Sequence, residues 1–145
     1  MKLECKIEDL KNGISQAERI VGKNLTLPIL SSILLITNKN TLILRSTNLS
    51  IGIEIEIPAK IERTGTVAVS GTTLNGVFSN FSQNDNVTLE DLGGNLLITT
   101  KKSKIKLKGQ PHEDFPTIPK ITGTNLEIEA KKITEGIKSV YYSAL

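Results

Sequence analysis

The chain is 145 residues long, 38% apolar and 23% charged, with 18 Lys and Arg against 15 Asp and Glu for a net charge of +3. That length supports a full core without disulfide staples; the single cysteine, Cys5, excludes a disulfide framework and a cysteine zinc site, and the single histidine, His112, leaves no histidine metal cluster and argues against Ser-His or Cys-His catalysis. The longest apolar run, Ile33 to Ile36, is far short of the roughly 20 residues of a membrane span, and no charged-then-apolar leader opens the chain, so no membrane partner and a cytoplasmic location are expected.

Lys2 to Lys6 reads as a short strand with Leu3 and Cys5 on one side. From Glu8 to Gly22 the period changes. Leu10, Ile14, Ala17 and Val21 recur as one stripe of an amphipathic helix, with Lys11, Asn12, Ser15 and Arg19 on the other face and Gly22 as its stop. A loop follows, from Lys23 to Pro28. Strand signals then come close together: Ser32 to Thr37, Thr41 to Ser46, Ser50 to Ile57 and Gly65 to Val69. Asn38-Lys39-Asn40 is a hairpin turn between the first two, and isoleucines 51, 53, 55 and 57 mark the third as a half-buried strand. Ser70 is an N-cap for a second helix, in which Leu74, Val77, Phe78 and Phe81 form the inner stripe and Thr72, Asn75, Gly76 and Ser79 the outer face.

Three more strands are expected at Val87 to Leu92, Asn95 to Thr100 and Lys102 to Lys108. Residues 101 to 108, KKSKIKLK, hold five lysines and no acid, so the rest of the chain is slightly negative. Lys102, Lys104, Lys106 and Lys108 fall on one side of this strand, with Ser103, Ile105 and Leu107 on the other. Such a row has two readings: a solvated, protected sheet border, or a border built to meet an acidic partner. Gln110 to Pro119, with three prolines, reads as a linker. Beyond it the opening pattern returns at an offset of 123. Leu3-Glu4-Cys5-Lys6 aligns with Leu126-Glu127-Ile128-Glu129, Leu10 with Ile133, Gly13 with Gly136, Ile14 with Ile137 and Ala17 with Val140. A strand and helix are therefore expected again, and alone they cannot bury their apolar face.

Thr26-Leu27-Pro28-Ile29-Leu30 after the first helix, Ser46-Thr47-Asn48-Leu49 before the isoleucine strand, and Asp114-Phe115-Pro116 in the linker stand in register with this repeat and with the Met-Lys-Leu opening. Together they resemble the amino-terminal part of the bacterial sliding clamp family, the beta subunit of DNA polymerase III. The resemblance covers the whole chain. It implies an α+β, DNA-clamp (processivity-factor) domain with two helices packed on antiparallel sheets. Residues 1–120 would be the first of three such domains and 121–145 the truncated start of the second. It further implies a non-catalytic ring, a head-to-tail homodimer around duplex DNA without sequence preference, with no cofactor. The clamp loader and polymerases would bind through domains absent here.

On that resemblance Lys11, Ser15 and Arg19 of the first helix face the DNA, whereas plain solvation accounts for the same polar face without it. The family carries a basic DNA-touching residue in the loop before Thr-Leu-Pro; here Asn24 stands there, with Lys23 beside it as the expected contact. Basic residues that the family has near Thr72 and Thr73 are missing, so a less positive wall is expected. Ile105 and Leu107 would take the apolar roles of the subunit junction, and Lys102 and Lys104 the basic ones, by strand addition across subunits. His112, Glu113 and Asp114, consecutive in a proline-rich loop, do not converge as metal ligands do. The competing reading is a free-standing β-rich interaction module that uses the Lys102–Lys108 border and never meets DNA. An enzyme ranks behind both, since no nucleophile-base pair or phosphate-cradling glycine loop is present.

Overall fold

The computed structural model describes residues 1–22, 27–82, 85–119, 122–124 and 126–143. Lys2–Lys6 forms β1, and the helix α1 follows at once over Ile7–Glu18. β2 (Ser32–Asn38) and β3 (Thr41–Thr47) make the expected hairpin around Lys39, which holds a positive φ. β4 (Gly52–Pro58), β5 (Lys60–Arg63) and β6 (Thr66–Ser70) lead into α2 (Gly71–Ser79). β7 (Asn86–Leu92), β8 (Asn95–Thr99), β9 (Lys104–Leu107) and β10 (Gly109–Gln110) complete two five-stranded antiparallel sheets, ordered β5-β1-β7-β8-β9 and β10-β6-β2-β3-β4. A third helix, α3, spans Ala130–Val140. No helix of the described residues is long and apolar enough to cross a membrane.

One apolar core joins both sheets and the first two helices. Leu3, Leu10, Ile14, Leu35, Leu44, Leu74, Phe78, Leu89 and Ile98 are all buried in it. α1 rests on β3 and β4, and α2 on β2 and β6, so the two helices cover one sheet side by side and touch each other. The α1 stripe predicted from periodicity is the buried one: Leu10, Ile14 and Ala17 are fully enclosed. Gly13 completes that face. A Cβ there would lie 2.8 Å from Ile57 Cδ1 and 3.1 Å from Leu44 Cδ1, so its bare backbone lets the helix settle onto β3 and β4. Ser46, buried beneath, donates its hydroxyl to the Ala17 carbonyl oxygen at 2.7 Å and so serves the C-terminal end of α1.

Several boundaries differ from the sequence reading. α1 stops at Glu18, because Ile20 and Val21 donate three residues back, to Ala17 and Glu18, and tighten the chain. β4 starts at Gly52: Asn48 Oδ1 accepts from the backbone of Ser50 and Ile51 and holds a turn there, with Leu49 at φ 76°. β5 was not foreseen in Lys60–Arg63, and Gln110, expected to open the linker, instead forms with Gly109 a short strand on β6. The expected strand at Leu126–Glu129 does not form, although the helix after it does. Replacement of Gly13 by Val is expected to lower stability by about 1–3 kcal/mol through overpacking against Ile57 and Leu44, measurable as a lower urea midpoint with an unchanged slope.

Candidate DNA-facing wall and subunit border

The outer faces of α1 and α2 form a single polar layer. Arg19 is exposed at the C-cap of α1 and Ser15 half-buried one turn before it. Lys11 is also half-buried, and its ammonium donates to the Ser79 carbonyl oxygen of α2 at 3.0 Å. It thus complements the partial negative charge at that helix end and bridges the two helices. Thr72, Thr73 and Ser79 are exposed on α2, and the Ser70 hydroxyl accepts from the Thr73 backbone as its N-cap. The layer is not strongly basic: α1 carries Glu8, Asp9 and Glu18 against Lys11 and Arg19, and α2 has no charged residue. Lys23 and Asn24 lie outside the described residues.

At one end of the molecule β9 closes its sheet as a border strand. Lys104, Lys106 and Lys108 are exposed, Ile105 half-buried, and Leu107 buried. The alternation read from the sequence holds from residue 103 onward. Leu107 is 8% exposed and belongs to the chain's own core, which leaves Ile105 as the apolar side chain partly open at this border. Lys102 is not on the strand. Thr100 N donates to the Ser103 carbonyl oxygen at 2.9 Å, and Thr100 Oγ1 accepts from the backbone of Lys102 and Ser103, so this side chain closes a turn where an extended run was expected. Behind the border, a Cβ on Gly109 would strike the Gly94 carbonyl oxygen, so β10 lies tight against the β7–β8 turn and ties down the strand that precedes it.

The remaining candidates for chemistry stand apart. Cys5 is 5% exposed on β1, and burial first, then the Asp9 and Glu4 carboxylates, push its thiol up to about 12. His112 Nδ1 lies 4.0 Å from the Glu113 carboxylate at the surface. Among the described residues no three His, Cys, Asp or Glu side chains come together as a metal site. Sequence reasoning passed over Lys11 as a link between the helices and Thr100 as a turn former, and no local spacing signals the first. At pH 8 the native Cys5 thiol should resist iodoacetamide and react promptly once the chain is unfolded in urea, as read by mass spectrometry; equal rates in both states would remove the buried thiol.

Residues 1–119 match the family described as DNA polymerase III beta subunit, N-terminal domain. The chain is 30% identical over 154 residues to the beta sliding clamp of Synechocystis sp. and 27% identical over 146 residues to that of Synechococcus elongatus. Each comparison covers 99% of this chain and 39% of the relative, so the chain spans well under half the length of these curated relatives. Among solved structures, Caulobacter crescentus pol III beta superimposes with a TM-score of 0.88 at 24% identity over 95% of this chain and 38% of that one, a likeness of fold. A second, a DNA polymerase sliding clamp from Caulobacter crescentus, gives a TM-score of 0.77 at 28% identity, covering 83% and 33%.

Proposed function

Because the chain belongs to the family of the DNA polymerase III beta subunit, N-terminal domain, we propose that it is one module of a non-catalytic ring that surrounds duplex DNA and keeps a replicative polymerase on its template. The observation that carries this reading is the pairing of α1 and α2 on one sheet, which puts their polar faces on a common wall. Such a wall can border a duplex without reading bases, since contacts to phosphates carry no sequence information. Among the described residues Ser15 and Arg19 would be its contacts. Lys11 reaches DNA only with the donors it does not give to Ser79. Lys23 and Asn24 would extend the wall on the strength of the family resemblance.

Residues 1–120 are, on this reading, a first ring domain and 121–145 the beginning of a second. The family match ends at residue 119 while the Caulobacter crescentus likeness reaches 95% of the chain, which supports a boundary there. β9 is the border that would join a following subunit head to tail, with Lys104 and Ile105 beside the main-chain groups and Leu107 holding the strand from beneath. Lys102 would meet the partner from the turn. The clamp loader and polymerases would engage domains outside this chain, and the site of action would be the cytoplasm.

Fluorescence anisotropy with two duplexes of unrelated sequence tests the reading. We expect weak binding, equal for both, with log K falling by about 1–2 per decade of salt, the slope of one or two phosphate contacts. Arg19→Glu should weaken it several-fold. Tight or sequence-selective binding, or binding indifferent to Arg19→Glu and to salt, would overturn it in favour of a module that does not face DNA through this wall.

A further inference from the structure

A groove is already built on the sheet face turned away from the helices. We infer that it takes an extended peptide segment of a partner protein, presenting an apolar side chain with a Lys or Arg beside it. Strand alternation sets the face. Ile33 and Leu35 of β2 and Val67 and Val69 of β6 lie in the main core, so Leu34, Ile36 and Ala68 point the other way. There they meet Ile29 and Phe115 in a second, smaller apolar cluster. Beside this cluster lies a cavity of about 610 Å³, between the short 3-10 helix Pro28–Ser31 and the segment that follows β10. Its volume falls within the roughly 300–1,000 Å³ of ligand pockets.

The lining chooses the occupant. Leu27 is 41% exposed and Ile29 is buried, so an entering side chain meets apolar surface at two depths. Pro28 and Pro111 also line the groove. Each has a fixed φ and no N–H to satisfy, so this part of the rim loses little freedom when it is occupied. Gln110 is placed by its pairing with Ala68 and by the Ser32 hydroxyl, which donates to its Oε1 at 3.0 Å. That leaves its amide N–H groups as donors for a peptide carbonyl. Asp114 supplies the charge. It is exposed and enters no ion pair among the described residues. With Glu113 it makes residues 110–116 acidic, for that stretch holds no Lys or Arg. A cation beside the apolar side chain is therefore attracted and an anion repelled. The helices pack on the opposite face of this sheet, so a bound peptide leaves their polar wall clear.

The inference rests on the groove alone and stands or falls separately from the DNA reading. Two end-blocked heptapeptides that share a central Leu-Phe pair, one flanked by Arg and the other by Glu, are titrated into the isotope-labelled chain and followed by NMR. The Arg-flanked peptide should shift the amide signals of Leu27, Ile29, Gln110 and Asp114, and bind about threefold or more tightly than the Glu-flanked one. Asp114→Lys should reverse that preference. Leu27→Ser should weaken both peptides several-fold and leave the preference in place. A peptide with Ser-Ser in place of Leu-Phe should not bind. An absence of shifts at millimolar peptide would overturn the inference, as would binding that shows no preference between the two peptides or ignores Leu27→Ser. So would self-association that shifts the same amides and disappears in Ile133→Lys, since the exposed α3 of a second copy would then be the occupant.

Discussion

The seating of α1 on β3 and β4 is the constraint from which the wall follows. Leu10 and Ile14 are fully buried there, and burial of each such side chain is worth about 1.5–3 kcal/mol. A surface ion pair such as Arg45–Glu54 on the underlying sheet is worth only about 0–1 kcal/mol. The apolar stripe therefore fixes how the helix is rotated, and the polar residues take the face that remains. Because α2 is held on β2 and β6 in the same way, through Leu74 and Phe78, the leftover faces of the two helices point to one side. Lys11 then closes the seam between them at Ser79. It is a consequence of the packing more than its cause.

What was legible in the sequence is what repeats. The 3.6-residue stripes of α1 and α2, and the alternation in β1 through β4 and β7 through β9, report a face that meets the core, and the core is where the largest energies lie. Elements set by a single distant partner carried no such mark. Lys60–Arg63 contains one apolar residue and becomes a strand because β1 offers it a border. Gly109–Gln110 becomes a strand because β6 does. The Thr100 turn is decided by one hydroxyl against a run of lysines that reads as extended. The site divides along the same line. Arg19 and the outward lysines of β9 were readable from period alone, whereas the partner of Lys11, 68 residues away, was not.

The internal repeat separates local from non-local order. Leu3 and Ile14 are fully buried, while their counterparts at the offset of 123, Leu126 and Ile137, are 82% and 59% exposed. The residue pattern is the same, so the pattern does not by itself bury anything; neighbouring elements do. The helix of the second copy forms even so, because its hydrogen bonds run within Ala130–Val140. The strand before it does not, because a strand's bonds must be completed by another strand. An amphipathic helix left with its apolar face in solvent is marginal in water. On the proposed reading, the rest of a second domain supplies the missing surface.

The distribution of charge bears on how such a module would hold DNA. A wall with three acids against two bases on α1 and no charge on α2 cannot bind phosphates tightly, since that attraction scales with the number of phosphates neutralised. Five of the chain's lysines lie instead at or beside β9. On the proposed reading, in which the module helps to enclose a polymer and move along it, this division is physically coherent. Strong directional bonding belongs at the border, where main-chain groups, Ile105 and the lysines can act on another protein. The helix layer needs only to be polar, held in place from beneath by Leu10, Ile14 and Phe78, and too weakly charged to fasten onto any one phosphate.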